Sequence, residues 1–196
     1  MYLIFDCSAI AKPTNYKAPF SDTFAWPRLI HLSWILLNSE YKPIEDFDCI
    51  VKPDGFTIDE NVEKNAHIDA DDIVKKGAPL EEILDKFSAS VDKAEYIFAH
   101  NLSYNENVVG AEYIRKVKSI NMFKKERYCL MQESTYYCKL PAKGGGYKWP
   151  TLNELHATCF NHGYKPTNNA RADVIAAARC FIKLKKTGQL EDLFEE

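Results

Sequence analysis

The chain has 196 residues, of which 46% are hydrophobic, 13% aromatic and 27% charged. A folded protein of this length buries roughly 70% of the surface its unfolded chain exposes, enough for a core without metals or disulfides, and the composition excludes collagen, low-complexity disorder and coiled coils. Twenty-five lysines and arginines against 28 acids leave a formal charge of −3, which argues against a histone-like electrostatic binder.

Taken in order, residues 2–5 are a short apolar run that predicts a buried strand, ended by Asp6. This start has no basic region and no small-residue cleavage site, so it does not read as a signal peptide. Residues 11–28 form a Pro- and aromatic-rich loop, 29–37 a second strand and 47–51 a third, followed by the turn signal Pro53-Asp54-Gly55. The run 29–37, the longest apolar candidate, is interrupted by His31 and Ser33 and is far short of the roughly 20 residues a membrane helix needs.

Residues 59–76 and 79–91 predict helices, with Pro79 suited to a first turn. A strand over 96–99 precedes a helix over 105–116, and 128–131 predicts a fifth strand. Residues 143–148 are a flexible, basic, glycine-rich loop. Thr151 and Glu154 have capping-box spacing for a helix over 151–160. In the last helix, 168–186, Val174, Ala178, Phe181 and Ile182 make an apolar stripe. The acidic tail, 189–196, is expected to fray. Six scattered cysteines with no C-x-x-C pair predict reduced thiols in a cytoplasmic protein. This order predicts one α/β domain over 1–188, a mixed sheet covered by helices.

Three polar groups stand at strand ends or helix starts: Asp6, then His100-Asn101-Leu102-Ser103-Tyr104-Asn105, then Asn168-Asn169-Ala170-Arg171-Ala172-Asp173. With the segments around them they resemble the DnaQ-like, DEDD-type 3′-5′ exonucleases, the group of polymerase proofreading domains and ribonuclease T. Tyr2-Leu3-Ile4-Phe5-Asp6 is similar to the first motif, Phe98-Ala99-His100-Asn101-Leu102-Ser103-Tyr104 to the second, and Ala170-Arg171-Ala172-Asp173-Val174 to the third. Glu133-Ser134-Thr135, Cys138-Lys139-Leu140-Pro141 and Gly146-Tyr147-Lys148-Trp149-Pro150 resemble Bacteroides-type stand-alone members.

The resemblance implies a ribonuclease H-like fold with a five-stranded sheet, and hydrolysis of a terminal phosphodiester by two Mg²⁺ or Mn²⁺ ions about 4 Å apart. Carboxylates hold such hard cations, and a histidine takes the proton of the attacking water. An acidic site of this kind is compatible with the negative net charge.

The chain departs from that pattern. Where the family has Asp-x-Glu it has Asp6-Cys7-Ser8, and Ala9-Ile10-Ala11 replaces the usual Thr-Thr-Gly. Asn105 stands for the second-motif aspartate and Asn168 for the third-motif histidine, while Asp173 is kept. Of the five catalytic positions Asp6, Ser8, Asn105, Asn168 and Asp173, three are substituted. Two carboxylates match the charge of one divalent ion, not two. The resemblance therefore implies that Asp6 and Asp173 hold one weakly bound Mg²⁺ or Mn²⁺, or none. The Asn105 carbonyl and the Ser8 hydroxyl would be lesser ligands. Asn168 cannot accept a proton as imidazole does, and a positioned base is worth about 10²–10⁴-fold. Glu106 would be turned about 100° from Asn105 on a helix; His162, His156 and His100 are candidate replacement bases.

The family reading also expects the backbone at Cys7, Ala9 and Ile10 to line the terminal nucleotide, and His100, Asn101 and Tyr104 to contact it. Phe20, Phe24 and Trp26 are candidates for base stacking or for packing. Lys116, Lys118, Lys124, Lys125 and Arg127 are a solvated face or a phosphate track. The leading expectation is a domain that binds a single-stranded DNA or RNA 3′ end or short oligonucleotide with little or no exonuclease activity. The rivals are an active exonuclease with an atypical site and a catalytically dead scaffold for a replication partner or a mobile-element protein. A homodimer is compatible with the family.

Overall fold

The computed structural model describes residues 1–58, 63, 66–164 and 169–194. Strands β1 (Tyr2–Ala9), β2 (Leu29–Leu37) and β3 (Pro43–Ile50) form an antiparallel meander, and β4 (Tyr96–Ala99) and β5 (Glu126–Cys129) extend it in parallel from β1. The sheet order is β3-β2-β1-β4-β5. Helices α1 (Ala70–Lys76) and α2 (Leu80–Lys93) join β3 to β4, and α3 (Leu102–Arg115) joins β4 to β5. The one-turn helices α4 (Leu130–Glu133) and α5 (Thr135–Cys138) lead to α6 (Leu152–Phe160) and α7 (Ala170–Lys186). This is the mixed five-stranded α/β sheet that the sequence predicts.

Strand periodicity sorts the core. On β1, Leu3, Phe5, Cys7 and Ala9 point into one cluster with Trp34, Phe87 and Val108, under α2 and α3. Ile4 points the other way, into a cluster with Phe98, Val174, Ala177 and Phe181, under α6 and α7. Asp6, two residues beyond Ile4, therefore faces α7. The ladder to β2 carries β1 on through Asp6↔Ser33 to Ala9, so Asp6 lies within the strand and does not end it. Cross-strand pairing here outweighs the weak strand preference of an aspartate.

Other boundaries shift for local reasons. β3 starts at Pro43, earlier than residue 47, because pairing reaches Leu37↔Pro43. β5 starts at Glu126 and stops at Cys129, where α4 begins, so 130–131 are not strand. Residues 67–69 are not helical, and Asp69 caps α1 by accepting from the Asp71 N–H, so 59–76 is not one helix. Residues 59–62, 64 and 65 of that expected helix lie outside the described residues. α3 starts at Leu102, not 105, which places Asn105 inside the helix. The Asn169 side chain caps α7 by accepting from the Arg171 and Ala172 N–H groups.

The tail is not frayed through 194. Leu190 is buried, and Phe194 packs against Tyr2, Tyr96, Phe98 and Tyr128, with the Lys185 ammonium 3.6 Å from its ring centre. Aromatic area outweighs the charge of Glu191 and Asp192. At the other face, the Phe20 ring stacks on Phe123 at 4.3 Å over Gly110, where a Cβ would lie 2.9 Å from Phe20 Cγ. This pins the 11–28 loop to α3. Among the described residues, all six cysteines are unpaired and no helix is long and apolar enough to cross a membrane.

Candidate functional site

A cavity of about 620 Å³ opens at the C-terminal ends of β1 and β4, the end of parallel strands where α/β folds place ligands. Its walls come from Asp6, Cys7, Ser8 and Ala9 of β1, from His100, Asn101, Tyr104 and Asn105 at the start of α3, and from Asp173 of α7. Most of the residues singled out in the sequence are thus brought together. Ile10 is not: it follows the end of β1 and packs with Ile30, Ile68 and Ile73, Ile30 being the unpaired residue of β2 where the ladder shifts from Ser8↔His31 to Ala9↔Leu29. Asn168 lies outside the described residues.

Asn105 organises the floor. Its Oδ1 accepts the Cys7 N–H at 2.7 Å. Its Nδ2 donates towards Asp6 Oδ1 at 3.2 Å, the His100 carbonyl at 3.0 Å and the Asn101 carbonyl at 3.3 Å. One donor faces the oxygen and three acceptors surround the nitrogen, so the network fixes which end is which. The Asn105 carbonyl, expected as a lesser ligand, accepts the Cys7 N–H here, and the amide offers Asp6 protons.

Burial and the neighbouring Asp173 hold the Asp6 carboxyl well above its ordinary range, against the lowering effect of the Asn105 amide. Burial alone lifts Asp173 to about 6. Asp173 sits in the first turn of α7, where a helix terminus favours a negative charge by about 0.3–1 kcal/mol; desolvation outweighs that. Burial, opposed by a hydrogen bond to the Pro150 backbone, pulls His100 down to about 4. It is therefore neutral near pH 7. Burial also raises the Tyr104 hydroxyl and the Cys7 thiol.

Three buried polar atoms of this wall have no hydrogen-bond partner among the described residues: Asp173 Oδ1, His100 Nδ1 and Tyr164 Oη. Buried polar groups are rarely left so, and their gathering at one cavity points to a ligand. Ala11, Lys12, Tyr16, Thr151, Leu152, Asn153 and Tyr164 complete the lining, all missed by the sequence reading. Lys12 and Tyr16 sit in an aperiodic loop. Thr151 to Asn153 open α6 directly after Trp149-Pro150, a segment already noted for family resemblance.

A two-ion centre does not fit these donors. Asp6 and Asp173 are the carboxylates at the cavity, and among the described residues no three His, Cys, Asp or Glu side chains are grouped to hold a metal ion. Of the replacement candidates, His100 lines the cavity and the others do not. Glu106 pairs with Arg127 away from the cavity, and His156 is buried against His162, neither of them in the lining. Of the stacking candidates, Trp26 is buried with its Nε1–H on the Ala18 carbonyl, Phe20 is stacked on Phe123, and Phe24 is solvent-exposed elsewhere.

The basic stretch is largely neutralised. Lys116 pairs with Asp54 and Glu81, Lys118 with Asp85 and Arg127 with Glu106, while Lys125 donates to the Asp92 and Ala94 carbonyls.

No protein-family model and no curated protein sequence matches the chain. Solved structures do. E. coli Exonuclease I in complex with a dA16 oligonucleotide aligns with a TM-score of 0.72 and 15% identity, over 98% of this chain and 42% of that one. The nuclease domain of 3′hExo, a DEDDh family member, bound to rAMP, gives 0.72 and 13%, over 95% and 92%. A 3′-exonuclease with 3′-end specific recognition of histone mRNA stem-loop gives 0.70 and 14%, over 95% and 82%. The chain thus spans under half of Exonuclease I and nearly all of the 3′hExo domain. It has the fold of DnaQ-like 3′-exonucleases, an α/β ribonuclease H-like sheet flanked by helices.

Proposed function

We propose that this domain seats the 3′ end of a single-stranded nucleic acid, or a short oligonucleotide, in the cavity between Asp6 and Asp173, and cleaves it slowly or not at all. The observation that carries this reading is the orientation of Asn105. A carboxylate at that position would join Asp6 in attracting cations. The amide instead satisfies Asp6 with a proton and spends its own oxygen on Cys7 N–H. Two carboxylates with raised proton affinity then support at most one weakly held Mg²⁺ or Mn²⁺.

Binding does not need the lost ligands. The N-termini of α3, α6 and α7 all contribute to the cavity, and helix N-termini favour phosphate. α3 begins without a side-chain cap. Lys12 adds a cation, and Tyr16 and Tyr104 offer ring faces to a base. Neutral His100 and the Tyr164 hydroxyl are suited to sugar or base edges. The neighbours of this fold that were solved with dA16 and rAMP make such an occupant the natural one. Six unpaired thiols support a reducing, cytoplasmic setting.

The test is a paired assay. Mn²⁺-dependent digestion of an end-labelled single strand is measured for the parent and for a Ser8→Glu, Asn105→Asp, Asn168→His triple variant. The parent is expected to be inert and the variant measurably active. Robust digestion by the parent overturns the reading of an eroded site. Gel shifts at low and high salt read binding separately, and absence of any shift removes the nucleic-acid reading in favour of a scaffold.

A further inference from the structure

Residues 140–148 between α5 and α6 fold into a small hairpin. Pro141 bridges Tyr147, Lys148 N–H donates to the Leu140 carbonyl at 2.9 Å, and Ala142 N–H donates to the Gly146 carbonyl at 3.1 Å. Gly145 (φ 91°) and Gly146 (φ 71°) close the turn in a conformation that glycine alone adopts readily. A Cβ at 144, 145 or 146 would meet nothing within 4 Å, so the tip packs against nothing.

Around this hairpin three aromatic side chains face solvent: Tyr136 is 77%, Tyr147 45% and Trp149 56% exposed. Tyr136 and Tyr147 meet edge to face at 6.0 Å, which leaves ring faces open. Lys139 and Lys143, both exposed, form no ion pair with a described residue, whereas Lys148 is tied to Glu154. The chain runs directly from the patch to the cavity wall. Trp149 leads through buried Pro150, whose backbone meets the His100 ring, straight into Thr151, Leu152 and Asn153 of the cavity wall.

We infer that Tyr136, Tyr147 and Trp149, flanked by Lys139 and Lys143, are a stacking platform for the nucleotides of a single strand that precede the end seated in the cavity. The inference rests on the cavity reading above and extends it from one terminus to a length of strand. Open ring faces beside unneutralised cations match a chain that alternates π-faces with phosphates. Stacking of this kind tolerates any sequence.

Trp149 also reports on the platform. The chain has three tryptophans, and Trp26 and Trp34 are 3% and 0% exposed, so a base stacked on the surface quenches Trp149 alone. The experiment titrates the full chain in EDTA, so that no strand is cut, with thymidylate and uridylate dinucleotides and decamers, following anisotropy and tryptophan fluorescence.

The decamer is expected to bind at least about ten times more tightly than the dinucleotide and to quench Trp149. Trp149→Ala combined with Tyr136→Ala should weaken the decamer by about tenfold or more, leaving dinucleotide affinity and the melting temperature unchanged. Trp149→Phe should restore most of the loss. Lys139→Ala and Lys143→Ala should each flatten the dependence of log K on log salt by roughly 0.7. A decamer that binds no better than the dinucleotide, without quenching, overturns the platform and leaves the cavity reading standing. Decamer binding that needs Trp149 while the dinucleotide does not bind supports the platform and overturns the cavity reading. If neither binds, both fall, and the patch belongs to a protein partner.

Discussion

The Asn105 carboxamide spans two elements, giving its nitrogen to Asp6 Oδ1 at 3.2 Å and its oxygen to the Cys7 N–H at 2.7 Å. One side chain on α3 thereby locks both the strand backbone and the carboxylate next to it, in a buried setting where each bond counts more than in water.

This lock makes Asn105→Asp a conditional substitution. One oxygen of the new carboxylate would keep the Cys7 N–H, but the other would face Asp6 and the His100 and Asn101 carbonyls, three acceptors with no donor. Without metal the variant should lose about 2 kcal/mol or more, a fall of several degrees in Tm. Millimolar Mn²⁺ should recover much of that loss in the variant and leave the parent unmoved. Differential scanning fluorimetry with and without Mn²⁺ decides; equal Mn²⁺ response in both proteins would show that Asn105 does not govern cation binding.

Asp173 and His100 should impose opposite pH dependences. The folded pKa of Asp173 is raised to about 6, so its contribution is fully present below the unfolded value near 3.8 and is lost as pH rises through 6. That of His100 is depressed to about 4, so its contribution is present above 6.5 and lost as pH falls towards 4. Each amounts to about 1–3 kcal/mol. Asp173→Asn should raise Tm at pH 7.5 more than at pH 4.5, and His100→Gln should narrow the acid-side loss. Tm profiles from pH 4 to 8 that run parallel for all three proteins would refute both assignments.

Lys116, Lys118 and Arg127 should not matter for strand binding, because each is already paired with a carboxylate. Replacing Lys118 by Ala should change oligonucleotide affinity less than twofold and stability by under about 0.5 kcal/mol. A markedly reduced salt slope in that variant would restore the basic stretch as a phosphate track.

Phe194→Ala should destabilise the fold by about 2 kcal/mol, below the range for a fully buried ring because Phe194 is only partly covered. Of its partners, Tyr2 and Tyr96 begin β1 and β4, at the end of those strands opposite the cavity, and Tyr128 lies on β5; none of the three lines the cavity. Chemical denaturation measures the loss, and dinucleotide affinity should be unaltered.

The alternation of Leu3, Ile4 and Phe5, the run 29–37 and the stripe on α7 made the layered sheet legible, since each is a periodic burial signal. Asp6 and Asp173 were legible as partners through motif order. The direction of the Asn105 amide was not, because an asparagine presents either end until its neighbours choose. Lys12, Tyr16 and Tyr164 were not legible either, since they reach the cavity from loops that carry no period. The tail was misread for a related reason: Leu190, Leu193 and Phe194 are spaced among acids, and only the tyrosines of distant strands give them somewhere to pack.

The close approach of Phe20 to Gly110 has a mechanical reading. The stacked Phe20–Phe123 pair bears on the one α3 residue with no side chain, and the loop it clamps is the loop that carries Lys12 and Tyr16 to the cavity rim. A single methyl group at 110 would act as a wedge driven in from behind, prising that rim loose without touching any atom that meets a strand.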